Sequence, residues 1–270
     1  MKVFVQGIGL LGPGLPSWAD AQSVLRGNEP HRSARTVVQA PAQLPPAERR
    51  RAGNAIKVAM AVADQAMTLA GIDPKSVATV FTSSSGEGSN CHAICESLAS
   101  GDRLISPTRF TNSVHNAPAG YWHIAVANRS ASTSLCAFDD GFAAGLLEAL
   151  SQVHALQLPI LLVASDTPYP EPLNATRPLP DCFGLALVLT PVPTARSLAS
   201  LRVELVPADL NARATVCDDG SLESLRTHIP AARALPLMQR LAQGDSHQSV
   251  MIEYRAGLQL QIEVGPGDSR

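Results

Sequence analysis

Between Asn54 and Gly71 the chain carries Ala, Ile, Val, Met and Leu around most of a helical circumference, and Lys57, Asp64, Gln65 and Thr68 share one narrow stripe. A helix of this kind must be covered on most sides, so it belongs between layers of a larger fold. Asn54 is a good N-cap residue and Gly71 a good C-cap, which sets the helix at those limits. With 270 residues and 45% apolar positions, the chain can bury a core large enough to cover it.

The remaining pattern supplies the layers. Lys2 to Ile8 is rich in β-branched and aromatic residues and is expected to form a strand that stops at the following glycines. A helix over Ser17 to Arg26 comes next, and the Pro-rich stretch from Gly27 to Pro46 is expected to be a long, mobile surface connection. Strands are expected at 77–83, 132–137 and 159–165, with helices at 90–99, 118–127 and 141–156 between them. Such alternation predicts a layered α/β sheet with helices on both faces. Beyond Ala164 come strands at 184–190 and 201–206, a helical stretch at 222–243, and a hairpin of 249–254 with 258–264 around Arg255-Ala-Gly.

Gly7-Ile-Gly9-Leu-Leu-Gly12 has the spacing of a dinucleotide-binding loop and follows a strand. Pro13 and Pro16 block the helix that should start there, and Glu29 lies in a loop, so nucleotide binding is not expected. A formal charge of -2 with 16% charged residues provides no basic field for nucleic acid, and Arg49-Arg50-Arg51 reads as a solvated helix start or loop. No apolar run reaches the length of a membrane span, and no signal-peptide core forms at the start. The five widely spaced cysteines are odd in number and fit a reducing, cytoplasmic setting. Cys91, His92 and Cys95 share a helix face but lack a second ligand pair, so no metal is expected.

The most informative stretch runs from Ser113 to Leu150. It contains Asn116-Ala-Pro-Ala-Gly120, then a strand of small residues, a sharp turn at Gly141 and an apolar helix. A strand-turn-helix elbow holds one side chain at a helix N-terminus, where free amides favour an anion or oxyanion. This stretch resembles the nucleophile elbow of β-ketoacyl synthases, in which an Asn-x-x-Ala-Gly helix start precedes an Ala-Cys-x-Ser/Thr-Gly turn. The opening Val5-Gln-Gly-Ile-Gly-Leu-Leu-Gly-Pro-Gly14, with Trp18 and Arg26-Gly27, is similar to the ketosynthase N-terminus. The likeness covers residues 1 to 192, read as a ketosynthase-like N-terminal half, with 193–270 as an α/β extension completing the same domain. It implies a thiolase-like fold.

Laid over the family's pattern without a gap, the sequence puts Asp139 where the nucleophilic cysteine stands, with Cys136 three residues earlier. A carboxylate forms no thioester in transthioesterification, so no catalytic residue is expected; a gapped placement would make Cys136 the nucleophile. Asp139 and Asp140 also suit a plain N-capping role. The second-half motifs of ketosynthases, a His-Gly-Thr-Gly-Thr run, another histidine and a Gly-rich Asn-x-Phe-Gly loop, do not occur. His228 and His247 read as surface residues. The resemblance therefore implies a catalytically silent subunit of chain-length-factor type, similar to short proteins of aryl polyene clusters, paired as a heterodimer with a full-length ketosynthase. Its expected acyl-tunnel or interface residues are Thr111, His115, Asn116, Tyr121 and Phe138. No cofactor is implied; the substrate would arrive on the phosphopantetheine of an acyl carrier protein, a transient partner. The competing expectation is a reduced ketosynthase or acyltransferase using Cys136.

Overall fold

The computed structural model describes residues 1–208, 213–244 and 249–267. The strands are β1 (Lys2–Leu11), β2 (Ala78–Ser83), β3 (Ser132–Cys136), β4 (Ile160–Asp166), β5 (Phe183–Thr190), β6 (Ala199–Pro207), β7 (Ser249–Glu253) and β8 (Leu258–Pro266). The helices are α1 (Trp18–Leu25), α2 (Pro46–Arg51), α3 (Asn54–Ala70), α4 (Gly88–Ala99), α5 (Pro107–Thr111), α6 (Ala117–Val126), α7 (Gly141–Leu156), α8 (Leu173–Thr176), α9 (Gly220–His228) and α10 (Leu235–Gln243). All eight strands join one mixed sheet in the order β3-β2-β4-β5-β1-β6-β8-β7. β2 is parallel to β3 and β4, and the remaining pairs are antiparallel.

The apolar runs of β4 and β5 are buried along their whole length because helices cover both faces of the sheet. α3 and α6 pack on one face with Phe81, Leu161, Val163 and Val188. α7 and α1 lie on the other, over Val80, Leu162, Leu185 and Leu187. Residues after 192 continue the same sheet through β6, cross by way of α9 and α10, and complete the sheet with β7 and β8, of which β8 pairs with β6. A 3-10 turn at Pro230–Ala234 packs directly on α7, so the C-terminal segment supplies cover for that helix.

Three expectations change. β1 does not stop at the glycines but runs through Gly7 and Gly9 to Leu11. Both glycines face α3: a Cβ at Gly7 would stand 2.1 Å from the Ala66 carbonyl oxygen, and one at Gly9 2.0 Å from that of Val62. They are glycines because a helix backbone lies directly on the strand. The Gly27–Pro46 connection lacks regular structure before α2, yet it is fastened rather than loose. His31 is buried, its Nε2 donates to the Pro13 carbonyl at 2.8 Å, and its Nδ1 lies 2.8 Å from the Ser221 hydroxyl. Its backbone N–H reaches Asp219, and that of Thr36 reaches Asp181.

The N-cap of α3 is Gly53, and Asn54 opens the helix instead of capping it. The cap is brought from afar: the Glu87 carboxylate accepts the Ala55 N–H at 3.2 Å.

Candidate functional site

β3 ends at Cys136, the chain turns through Phe138–Asp140, and α7 begins at Gly141, so the expected elbow is present. Its apex differs from the expectation by one residue. Phe138 has φ 53°, a left-handed conformation in which a bulky side chain is strained, and this is the place where an elbow holds its projecting residue. Set on Ala137 to Gly141, the Ala-Cys-x-Ser/Thr-Gly pattern likewise gives Phe138 the position of the cysteine. Placement by the apolar face of the following helix put Asp139 there, because a helix face does not fix the residue at which the preceding turn begins.

The strain at Phe138 is offset by a network around it. The Arg177 guanidinium stacks 3.4 Å from the centre of the Phe138 ring and donates to Asp139 at 2.5 Å. Arg233, from the turn that covers α7, reaches Asp139 and Asp140 at 3.4 Å each and Glu253 at 3.8 Å. Asp139 and Asp140 are thus ion-pair partners of the C-terminal segment; neither side chain caps α7. A cavity of about 220 Å³ in front of the elbow is lined by Phe138, Asp139, Arg177, His228 and Arg233, among others. His228 is exposed, as expected, but the fold brings it to this cavity, where its Nδ1 lies 2.7 Å from the Ser224 carbonyl. His247 lies outside the described residues.

Cys136 is exposed at the end of the edge strand, with its Sγ 3.5 Å from Ser83 Oγ, and it does not line the cavity before Phe138. Cys91 and Cys95 are exposed on α4, and His92 faces Glu96 at 3.3 Å. Among the described residues no three His, Cys, Asp or Glu side chains are grouped to hold a metal.

The five tunnel or interface residues separate into two sets. Thr111 and Asn116 are exposed at the end of α5 and the start of α6, and exposed His115 reaches the Ser134 carbonyl of β3 at 3.1 Å. Phe138 is also exposed. Tyr121 is not: it is packed in the core cluster of α3 and α6, and burial raises its phenol above the ordinary range. Helix periodicity turns its side chain inward from the face that carries Gly120 and Ile124.

β3 is a sheet edge, with its outer side unpaired among the described residues. Beside it runs a groove of about 390 Å³ lined by Val114, His115, Asn116, Ala119, His123 and Ser134, and Ile124 stands close by on α6, 68% exposed. Two groups, half-buried His123 and buried Asp166, escaped the sequence reading. His123 Nε2 lies 2.9 Å from the Thr79 hydroxyl, and burial pushes its pKa down. Asp166, fully buried at the end of β4, accepts the Ser84 N–H at 2.7 Å and the Ala231 N–H at 2.8 Å. Burial pushes its carboxyl up, against those hydrogen bonds and the nearby Arg177. Neither has a local sequence signal, since their partners lie in distant segments.

Among the described residues no helix is long and apolar enough to cross a membrane. No curated protein matches the chain. Solved structures similar to it include the ketosynthase (ApeO) in complex with its chain length factor (ApeC) from Xenorhabdus doucetiae, at 20% identity and TM-score 0.73, covering 97% of this chain and 99% of the other. The ishigamide ketosynthase/chain length factor matches at 13% and 0.73, covering 98% and 99%. A type II polyketide synthase acyl carrier protein in complex with its ketosynthase matches at 12% and 0.74, with the same coverage. At these identities the structures show a shared ketosynthase fold. The family model for the β-ketoacyl synthase N-terminal domain matches residues 17–254, well past the 192 at which the sequence resemblance ended. With that match spanning most of the chain, and a strand-turn-helix elbow at its centre, the protein belongs to the β-ketoacyl synthase N-terminal domain family.

Proposed function

We propose that this chain is a non-catalytic subunit of chain-length-factor type that pairs with a full-length ketosynthase in polyketide or fatty-acyl chain assembly, of the kind that makes aryl polyenes. The observation that carries this reading is the elbow apex. A phenylalanine stands there, stacked under Arg177, where condensation requires a thiolate. A ring offers no lone pair for transthioesterification, and Asp139 is held in ion pairs.

The unpaired edge of β3 and the groove beside it are the proposed contact with the ketosynthase, since an open edge offers main-chain hydrogen bonds to another chain. Thr111, His115 and Asn116, with Phe138 at the elbow, would wall the partner's acyl tunnel and limit the growing chain by volume. The acyl group travels on the phosphopantetheine of a carrier protein in the cytoplasm, and the subunit itself contributes no cofactor. The similar structures of ketosynthases with chain length factors support the pairing.

The test is co-expression with a full-length ketosynthase, followed by size analysis and product analysis. A stable complex is expected, and an Ile124→Arg change should dissociate it while leaving the monomer folded. Changes at Thr111 or His115 should alter product length without dissociating the complex. Failure to associate would refute the proposal, and unchanged product length in an intact complex would leave a scaffold. The exposure of Cys136 favours one alternative, a reduced β-ketoacyl synthase or acyltransferase that uses it as nucleophile. Acylation by an acyl-carrier substrate that maps to Cys136 and vanishes in Cys136→Ala would establish it.

A further inference from the structure

The polar stripe of α3 does more than face water. Its second half, Asp64, Gln65 and Thr68, joins Leu69, Ile8 of β1 and Ser17, Trp18 and Ala19 at the start of α1 around a groove of about 580 Å³. Gln65 ties these walls together, because its Oε1 accepts the N–H groups of Leu10 and Trp18 at 3.1 Å each. The groove is therefore formed before anything enters it. Its surface is largely apolar, with Trp18 half-buried and Leu69 39% exposed.

Asp64 is the one charged residue of this lining, and it is half-buried. Among the described residues no Lys, Arg or His lies within ion-pair distance of it. Gln43 of the connection donates to its Oδ2, and no hydrogen bond among the described residues reaches its Oδ1. The other groups around it, Ile8, Trp18, Gln65 and Thr68, carry no charge. Asp20 on α1 is turned to the Ser17 hydroxyl at 2.6 Å, and Lys57, two turns back on α3, acts on Glu87. Burial, not a neighbouring charge, raises the Asp64 carboxyl to about 6. Carboxylates withdrawn from water are normally paired, so this one lacks a cation.

From these groups we infer that the groove between β1, α1 and α3 binds a small organic amine, its ammonium on Asp64 and its apolar body on Trp18 and Leu69. An ammonium offers donors to the open Oδ1, and the indole attracts either an aromatic ring or the cation itself. The volume suits an organic molecule, and a single carboxylate supplies too few oxygens for a metal ion. An apolar anion would be repelled, and an uncharged molecule would cover the carboxylate without pairing it. None of these residues belongs to the elbow or to the β3 margin, so the site stands apart from pairing with a ketosynthase.

Calorimetric titration of the purified chain tests it with 3-phenylpropylamine, 3-phenylpropanol and 3-phenylpropanoate, which share one apolar body and differ in charge. At pH 8 the amine is expected to bind saturably with a Kd of about 1 mM or below. The alcohol should bind about fivefold more weakly and the carboxylate more weakly still. Propylamine, which lacks the ring, should lose about tenfold or more. At pH 5 the Asp64 carboxyl takes up its proton while an aliphatic ammonium keeps its charge, so the amine should weaken about tenfold and the alcohol should not. Asp64→Asn should bring the amine down to the alcohol and abolish the pH dependence. Thr68→Lys, one turn on from Asp64, supplies an internal cation and should weaken the amine about fivefold. Equal binding of amine and alcohol, amine binding indifferent to pH or to Asp64→Asn in folded protein, or no binding would overturn the inference.

Discussion

A carboxylate placed against apolar surface keeps its proton to higher pH than one in water, because burial penalises the charged form. Asp64 on α3 shows the effect. It lines a groove with Ile8, Trp18 and Leu69, and burial raises its pKa from 3.8 to about 6, although Gln43 donates a hydrogen bond that acts the other way. The folded protein therefore holds this proton more tightly than the unfolded chain. The resulting stability is fully present below about pH 4 and is lost as the pH rises through about 6. An Asp64→Asn variant keeps an acceptor for Gln43 and should be more stable than the parent above pH 6, by about 1 kcal/mol after discounting for partial exposure. Its advantage should vanish near pH 4, and thermal unfolding across that range will show it. A second residue-scale prediction concerns the elbow. Phe138→Cys places a thiol at the apex, whereas Asp139→Cys places one at an ion-pair site. Mass spectrometry after a thioester probe should find more modification at position 138 than at 139, each measured in a Cys136→Ala background.

At the scale of elements, most helices and strands were readable from periodicity, and α7 falls at the limits the sequence suggested. The failures have physical causes. Gly7 and Gly9 read as a turn because glycine is common in turns, yet the requirement was a close helix, visible only once α3 is laid on β1. A Gly9→Ala change should push α3 away from the strand and cost about 2–4 kcal/mol in a denaturation experiment. The elbow was legible as an element but not to the residue, since the strained φ at Phe138 leaves no periodic trace. Asp166 was silent for another reason: it joins the ends of β2 and β4 to the turn that covers α7. Asp166→Ala would leave two buried N–H groups unpaired and should lower stability by about 2–4 kcal/mol.

At the scale of the whole molecule, the eight-stranded sheet has two unlike margins. β7 is shielded, since Thr215 exchanges hydrogen bonds with Met251 on it. β3 carries no such shield among the described residues and presents Ser132, Thr133 and Ser134, with no charged residue or proline to discourage pairing. Bare main-chain donors and acceptors along a margin template whichever strand arrives first, including one from an identical molecule. Chain produced without the proposed ketosynthase partner should therefore self-associate as its concentration rises, seen as a growing apparent mass in size analysis. Raising the dose of this chain alone would then spend its open margin on copies of itself.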